Sequence, residues 1–468
     1  WLNAQLRGVQ QLGFRAGKRL LLAVMGWMLA AWLQGYAHTA PAWFAAAFVV
    51  AHPLIAEPVN VIVGRADILA LIGVFGFAAL QQRAITRGWN AARVIGCLLM
   101  AALAITSKET GLLVAPIALI QPLVRQPELD PHFAATPRLK HWLPPVAVVA
   151  LTVLLYGLAR IDQIGAALSP RPERFLLTDN PLLGVAFAER WPASLSLTWH
   201  YVAQLFWTDT SATQTPWPLP AAGDASVWLG GITLAVLLGV TARLVWRRSW
   251  LCTAALLAIG QLLLVGHWLV PIGPYASNRL ALPLLAAAAA VLAAGIDRVA
   301  SASRRKRAAL LIPGGVVLVL MVISVANTHR AWTSPLARAT ADASAAPDNP
   351  VFIRSPWGWW SRPPFPAVAN TAAMRLSGID ADTVAPHNVE IVRDAGGAPT
   401  GLFLERNFTP ILEYTLFRRV PRFTEVDRLA SVELGARALS AAGTTSIYEG
   451  HGVTPALLNA YLEAEADG

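Results

Sequence analysis

Charge is what this 468-residue chain has least of. Only 14% of its residues are Asp, Glu, Lys or Arg while 55% are hydrophobic, and mean hydropathy is +0.50. Soluble globular domains carry about 25% charged residues, a gap too wide to be a core effect, so a water-soluble enzyme is the first class excluded. Cysteine is nearly absent. Cys97 and Cys252 each sit inside an apolar run, so they read as small buried hydrophobes and exclude a disulfide framework or a thiolate metal site. There is no phosphate-binding Gly-rich loop, no dinucleotide fingerprint and no Gly-x-Ser-x-Gly elbow. His52 and Glu57 are five apart with Pro53 and Pro58 between and after them, a spacing that does not make a helical zinc pair. No secretory signal with a cleavage site precedes the first apolar run, and the chain opens on Trp1, so its true N-terminus is expected upstream.

What is there is apolar sequence in blocks. Runs cover 20–34, 41–51, 67–80, 94–106, 111–124, 142–158, 227–245, 251–270, 280–295 and 310–326, and after residue 326 none recurs. A spanning helix needs about 20 mostly apolar residues, and several of these are short. The pattern predicts an all-α polytopic membrane bundle of about ten transmembrane helices over 1–335, followed by a small water-soluble α+β domain over 336–468. The formal charge of +10 and pI near 10.2 raise the question of nucleic acid, but the basic residues fall in patches between apolar runs. Alternate loops hold Arg83/Arg87/Arg93, Arg125/Arg138/Lys140, Arg243/Arg247/Arg248 and Arg298/Arg304/Arg305/Lys306/Arg307. The positive-inside rule makes those loops cytoplasmic and puts the C-terminal domain on the outer face. The N-terminal stretch with Arg7, Arg15, Lys18 and Arg19 then lies outside, unless 41–51 is re-entrant. Residues 160–225 form a long outer segment, and its aromatic stretch 191–207 reads as an interfacial helix or a short tilted span.

Three outer loops carry the chemistry. One runs from His52 through Glu57 to Arg65 and Asp67; the second is Ser107-Lys108-Glu109-Thr110-Gly111; the third is Pro271 to Arg279. Ionisable groups at the mouth of a bundle are costly unless paired or bound to an ionic ligand. Arg65, Lys108 and Arg279 have the donors a phosphate needs, and Glu57, Asp67 and Glu109 would hold them, with His52, Asn278 and Arg160 in support. Plainer roles stand beside these: a loop ion pair for Lys108 and Glu109, a helix cap for His52, and snorkelling for Arg279.

The segment HPLIAEPVNVIVGRADILA resembles the outer loop of the transmembrane O-mannosyltransferases that carry tetratricopeptide repeats, and of their bacterial relatives. The matching residues are His52-Pro53, Glu57 and Gly64-Arg65-Ala66-Asp67. Lys108-Glu109-Thr110-Gly111, Asp179-Asn180-Pro181 with Arg190, and Asn278-Arg279-Leu280 resemble further motifs of that family, in order along 1–335. The resemblance implies a GT-C glycosyltransferase of the bacterial inner membrane, with the C-terminal domain periplasmic. It would move a sugar, with inversion, from a polyprenyl-phosphate donor to a protein, lipid or glycan acceptor at the outer face. The donor phosphate would sit among Arg65, Lys108 and Arg279. The family's catalytic Asp would lie upstream of Trp1, leaving this chain without a nameable base. No residue here demands a metal or other cofactor. The family's 34-residue repeats are absent from 336–468, where Trp357, Trp359 and Trp360 read either as a sugar platform or as a core cluster. Kept beside this are a transporter or flippase for a lipid-linked or anionic solute, and a non-catalytic membrane subunit.

Overall fold

A computed structural model describes residues 11–124 (62 apart), 139–160, 180–206 (183–184 apart), 219–302 (270 and 273 apart), 314–326 and, with gaps, 337–466. The chain divides into two compact units, Trp1–Pro170 with Leu177–Thr333, and Arg171–Leu176 with Ser334–Gly468. Asp179, and with it Thr178, lies outside the described residues, as do Trp357, Trp359 and Trp360.

The first unit is helical. Its elements are α1 (Gln11–Leu33), α2 (Thr39–Ala51), α3 (Ala56–Asn60), α4 (Gly64–Arg87), α5 (Ala91–Ser107), α6 (Val114–Ile120), α7 (Leu139–Ala159), α8 (Phe187–Ala203), α9 (Ala225–Trp246), α10 (Leu251–Val265), α11 (Leu282–Ala302) and α12 (Gly314–Ala326). Short 3-10 turns at Pro53–Ile55, Glu109–Leu113 and Asn278–Ala281 lead into α3, α6 and α11. The polar residues between apolar runs make these breaks. Asn90 accepts from the Arg93 amide (2.9 Å) to start α5, and Gly88, at φ +85, ends α4 in a conformation that costs glycine least. α4 forms the centre, with Phe75 stacked on Trp32 of α1 at 5.9 Å. It meets α5 so closely at Gly73 that a Cβ there would lie 2.6 Å from the Met100 carbonyl oxygen.

Two polar contacts fix the ends of this unit. At one end the Lys18 ammonium of α1 donates to the Val61 carbonyl (3.1 Å), beside the start of α4. At the other, the Asp297 carboxylate of α11 accepts from the His38 backbone amide (3.0 Å) and faces its ring Nδ1 (2.6 Å), at the start of α2. Tyr36 joins that second end, stacked on Trp250 at 4.9 Å and accepting from Gln121 (2.9 Å).

Among the described residues, five helices are long and apolar enough to cross a membrane: 16–33, 64–87, 141–159, 225–246 and 278–299. Joining 39–51 to 53–60 across their 55° bend makes six. The expected all-α polytopic bundle of about ten spans is therefore corrected. Ala91–Ser107, Glu109–Leu123, Leu251–Val265 and Gly314–Ala326 are too short. At about 1.5 Å per residue, 17 residues reach only about 25 Å, less than a bilayer core of about 30 Å. Apolar run length overstated the spans: 3-10 turns break Glu109–Leu123, and the other three helices are short without a break. The helices that do qualify are apolar on their outer faces: α7 exposes Leu154, Leu155 and Leu158, and α9 exposes Trp228, Ile232 and Val236. Where the long outer segment is described it holds α8, whose Arg190, Ala193, Ser194, Leu197, Thr198 and Tyr201 are buried.

The second unit contains an antiparallel sheet in the order β1 (Phe352–Arg354), β2 (Phe365–Ala369), β4 (Pro399–Glu405), β3 (Val389–Arg393), with α13 (Thr371–Ser377), α14 (Glu425–Ala441) and α15 (Pro455–Ala466). Ala367, Ile391 and Phe403 pair across neighbouring strands and enter the core with Phe417 and Leu412. Asn370 starts α13 by accepting from the Ala373 amide (2.9 Å) and also accepts from Val351 (3.0 Å). Thr424 and Asp427 cap α14 reciprocally, the carboxylate accepting from the Thr424 amide (2.8 Å) and the hydroxyl from the Asp427 amide (3.2 Å). Those hydrogen bonds hold the Asp427 carboxyl below its usual range.

Candidate functional site

Four of the sequence-selected side chains meet at the Lys18 end of the helical unit. Glu57 comes from α3, Asp67 from the first turn of α4, Lys108 from the break after α5, and Arg279 from the 3-10 turn before α11. Glu57 is fully engaged. One oxygen accepts from the Ser277 hydroxyl and from Arg279 Nη1 (2.8 Å), and the other from the Arg279 backbone amide (3.1 Å). Asp67 Oδ1 accepts from Lys108 Nζ, while Asp67 Oδ2 faces Arg279 Nε at 3.7 Å. That last separation is a Coulombic contact and too long for a hydrogen bond.

Burial makes this arrangement obligatory. The Asp67 side chain is only 5% exposed, against 21% for Lys108 and 16% for Arg279. A carboxylate that far from water is stable as an ion only with partners, and two cations supply them. The backbone is arranged for the same purpose: a Cβ on Gly111 would lie 2.0 Å from the Ala104 carbonyl oxygen, so glycine there lets the Lys108 turn fold back on α5.

The other selected residues have separate places. Arg65 is half-buried at the second position of α4, two residues before Asp67, and has interactions of its own. Asn278 is buried beside Arg279, and Glu109 is exposed beside Lys108. Arg160 lies over the Tyr156 ring at 5.4 Å, at the exposed end of α7. His52 is a cap: its Nδ1 accepts from the Leu54 amide and its Nε2 donates to the Leu205 carbonyl, each at 3.2 Å. Asn180 and Arg190 hold the third loop, donating to Ile272 (2.5 Å) and Leu269 (3.1 Å) carbonyls.

Three residues at this end carried no weight in the sequence. Ser277 binds Glu57; Tyr201 of α8 is buried in electrostatic contact with Glu57, Arg279 and Tyr275; and His267 stacks on Tyr275 at 5.9 Å. His267 donates from Nε2 to the Tyr275 carbonyl (2.9 Å) and accepts at Nδ1 from Ile272 (3.2 Å), and burial lowers its pKa. A hydrophobic run that ends in Gly266-His267-Trp268 was the available signal: a buried histidine at a span's end must find partners for both nitrogens.

Comparison with known proteins turns elsewhere. The amidohydrolase family model matches residues 284–468, less than half of the chain. No curated protein and no solved structure matches. The family match corrects the GT-C and O-mannosyltransferase-like reading, and with it the polyprenyl-phosphate glycosyltransferase activity; the transporter and non-catalytic alternatives gain no better support. The physical reason is visible at the motifs that carried the resemblance. His52-Pro53 caps a 3-10 turn, Asn180 and Arg190 pin a loop, and Lys108 and Arg279 neutralise Asp67. Short motifs at helix ends recur wherever those ends need capping and buried charges need partners.

Amidohydrolases belong to a superfamily of metal-dependent hydrolases. Among the described residues, no three His, Cys, Asp or Glu side chains gather as a metal site. In the matched segment Glu405 is buried and bound by Arg354 and the Leu412 amide (3.0 Å), and Glu390 is paired with Arg406. These carboxylates are committed to the sheet, so the described residues do not fit a catalytic metal.

Proposed function

We propose that the helical unit sits in a membrane and binds the phosphate of a lipid at the Lys108–Arg279 cluster. The observation that carries this reading is the set of donors left over at a partly exposed site. Among the described residues, Lys108 Nζ has one protein acceptor for its three protons, and Arg279 Nη2 has none. Asp67 and Glu57 hold both cations in fixed orientations, so little side-chain freedom is lost when an anion arrives. Arginine and lysine donors strengthen with a charged acceptor. Lys18 and Arg65 at the same end bring the local inventory to four cations against the carboxylates of Glu57, Asp67 and Glu109.

The membrane setting is supported by the long apolar helices and by α4 itself. Asp67 lies near its start, and Arg83 and Arg87 lie near its end, about 24 and about 30 Å away at helical rise. By the positive-inside rule the cluster then faces away from the cytoplasm, at the level where lipid phosphates lie. A polyprenyl-phosphate-linked sugar and ordinary phospholipids both belong to this ligand class.

The test is calorimetric titration of the detergent-solubilised full chain with dihexanoyl phosphatidylpropanol, a soluble lipid phosphodiester. Saturable binding is expected, weakened at least about tenfold by Arg279→Gln through loss of charge-assisted hydrogen bonds. Equal affinity in the variant, or no binding by wild type, would refute the site.

The family match favours a second reading, in which the C-terminal part of the chain carries a hydrolase. Release of amine from a panel of amide substrates by the full chain would support it.

A further inference from the structure

The two carboxylates of the cluster differ in one respect. Both oxygens of Glu57 are bonded, whereas the buried Asp67 Oδ2 has no hydrogen-bond partner. Arg279 Nε, equally buried, also has none, and the two atoms face each other at 3.7 Å. An unbonded acceptor and an unbonded donor at that spacing are complementary to one group: an oxygen that donates to the first and accepts from the second. A hydroxyl meets that requirement. An ionised phosphodiester oxygen does not, because it has no proton to give and would meet the Asp67 charge. A buried polar atom left unmatched costs stability, and here two such atoms lie side by side, next to the Lys108 ammonium that the lipid phosphate would engage.

Resting on the lipid-phosphate reading above, we infer that the ligand carries a hydroxyl close to its phosphate, and that Asp67 Oδ2 and Arg279 Nε form the subsite for that hydroxyl. The site therefore selects a polyol phosphate ester, either as a lipid headgroup or as a free solute. Asp67 reads the hydroxyl proton, Arg279 reads its lone pair, and Lys108 together with the outer arm of Arg279 holds the phosphate. A ligand of the same charge without the hydroxyl leaves both atoms unmatched and binds less well.

The experiment compares matched pairs on the solubilised full chain. Dihexanoyl phosphatidylglycerol and dihexanoyl phosphatidylpropanol have the same charge and differ only in headgroup hydroxyls; glycerol 1-phosphate and propyl phosphate are the corresponding free solutes. Wild type is expected to prefer the hydroxylated member of a pair by about tenfold, the value of one hydrogen bond to a charged group. Asp67→Asn, which turns one carboxylate oxygen into a donor, is expected to remove the preference, so that the two members of a pair bind with equal affinity whatever the affinity that remains. A preference shown with the lipids alone assigns the site to a headgroup, and one shown equally by the free pair assigns it to a soluble ester; both uphold the subsite. Equal wild-type affinity within each pair, with binding intact, overturns it and leaves a bound water as the occupant, while the phosphate site stands. Absence of binding by every probe overturns both. The wild-type comparison needs no variant, so it decides the matter even if Asp67→Asn does not fold.

Discussion

Lys108→Met is the most direct perturbation of the cluster. The substitution keeps most of the length of the side chain and removes its charge, leaving Asp67 with Arg279 at 3.7 Å as its nearest cation. Removing one partner of a buried pair costs about 3–5 kcal/mol; because Lys108 is about one-fifth exposed, the figure for this pair is discounted to about 2–4 kcal/mol. If the cost comes from the stranded carboxylate, then adding Asp67→Asn must return most of it, to within about 1 kcal/mol of wild type, because a neutral amide needs no counter-charge. The assay is reversible denaturation of the four proteins of this double-mutant cycle in one detergent. Stability of Lys108→Met within about 0.5 kcal/mol of wild type, or a double variant no more stable than the single, refutes the reasoning, since surface pairs give values of that size.

Three further outcomes are expected. His267 is held neutral by burial, so its folded pKa lies below the unfolded value of about 6.5, and stability present above that value falls as the pH drops through it. Thermal unfolding compared at about pH 7.5 and about pH 5.5 will show a larger loss for wild type than for His267→Gln. Gly111→Ala forces a Cβ to within 2.0 Å of the Ala104 carbonyl oxygen and will destabilise by about 1–3 kcal/mol, whereas Gly157→Ala, in open space on α7, will be neutral or stabilising; denaturation midpoints check both. Asn370→Ala loses the bonds to the Ala373 and Val351 amides and will cost about 1–2 kcal/mol, read from urea unfolding of the full chain by near-ultraviolet circular dichroism.

The sequence displays the cluster's members because each sits where an apolar run stops. A charged residue at such a boundary must find a partner from another boundary at the same end, and Glu57, Asp67, Lys108 and Arg279 do so. Alternating or β-branched residues at 388–393 and 401–404, separated by Gly/Pro turns, likewise overlap β3 and β4. Two kinds of information were not on the surface of the chain. Apolar run length does not register the 3-10 turns at Glu109–Leu113 and Gln121–Leu123, nor where a helix stops short, so it overcounts spans. Residue type does not distinguish His52 as a cap from His52 as a ligand, because that depends on the Leu205 carbonyl, 153 residues away. Family resemblance read from short motifs failed for a related reason: the motifs mark local solutions to capping and charge burial, and those solutions are shared by unrelated chains.

The spacing of the Asp67 partners along the chain sets an order of events during synthesis. Lys108 follows Asp67 by 41 residues, whereas Arg279 is 222 residues beyond Glu57. As the nascent polypeptide emerges, the helical hairpin of α4 and α5 already contains its own counter-ion and can leave the translation machinery with Asp67 neutralised. Glu57 must wait, solvated or provisionally bonded, until the chain has grown 222 residues past it. Early closure of the first pair and late closure of the second leave the cluster open on one side until Arg279 docks.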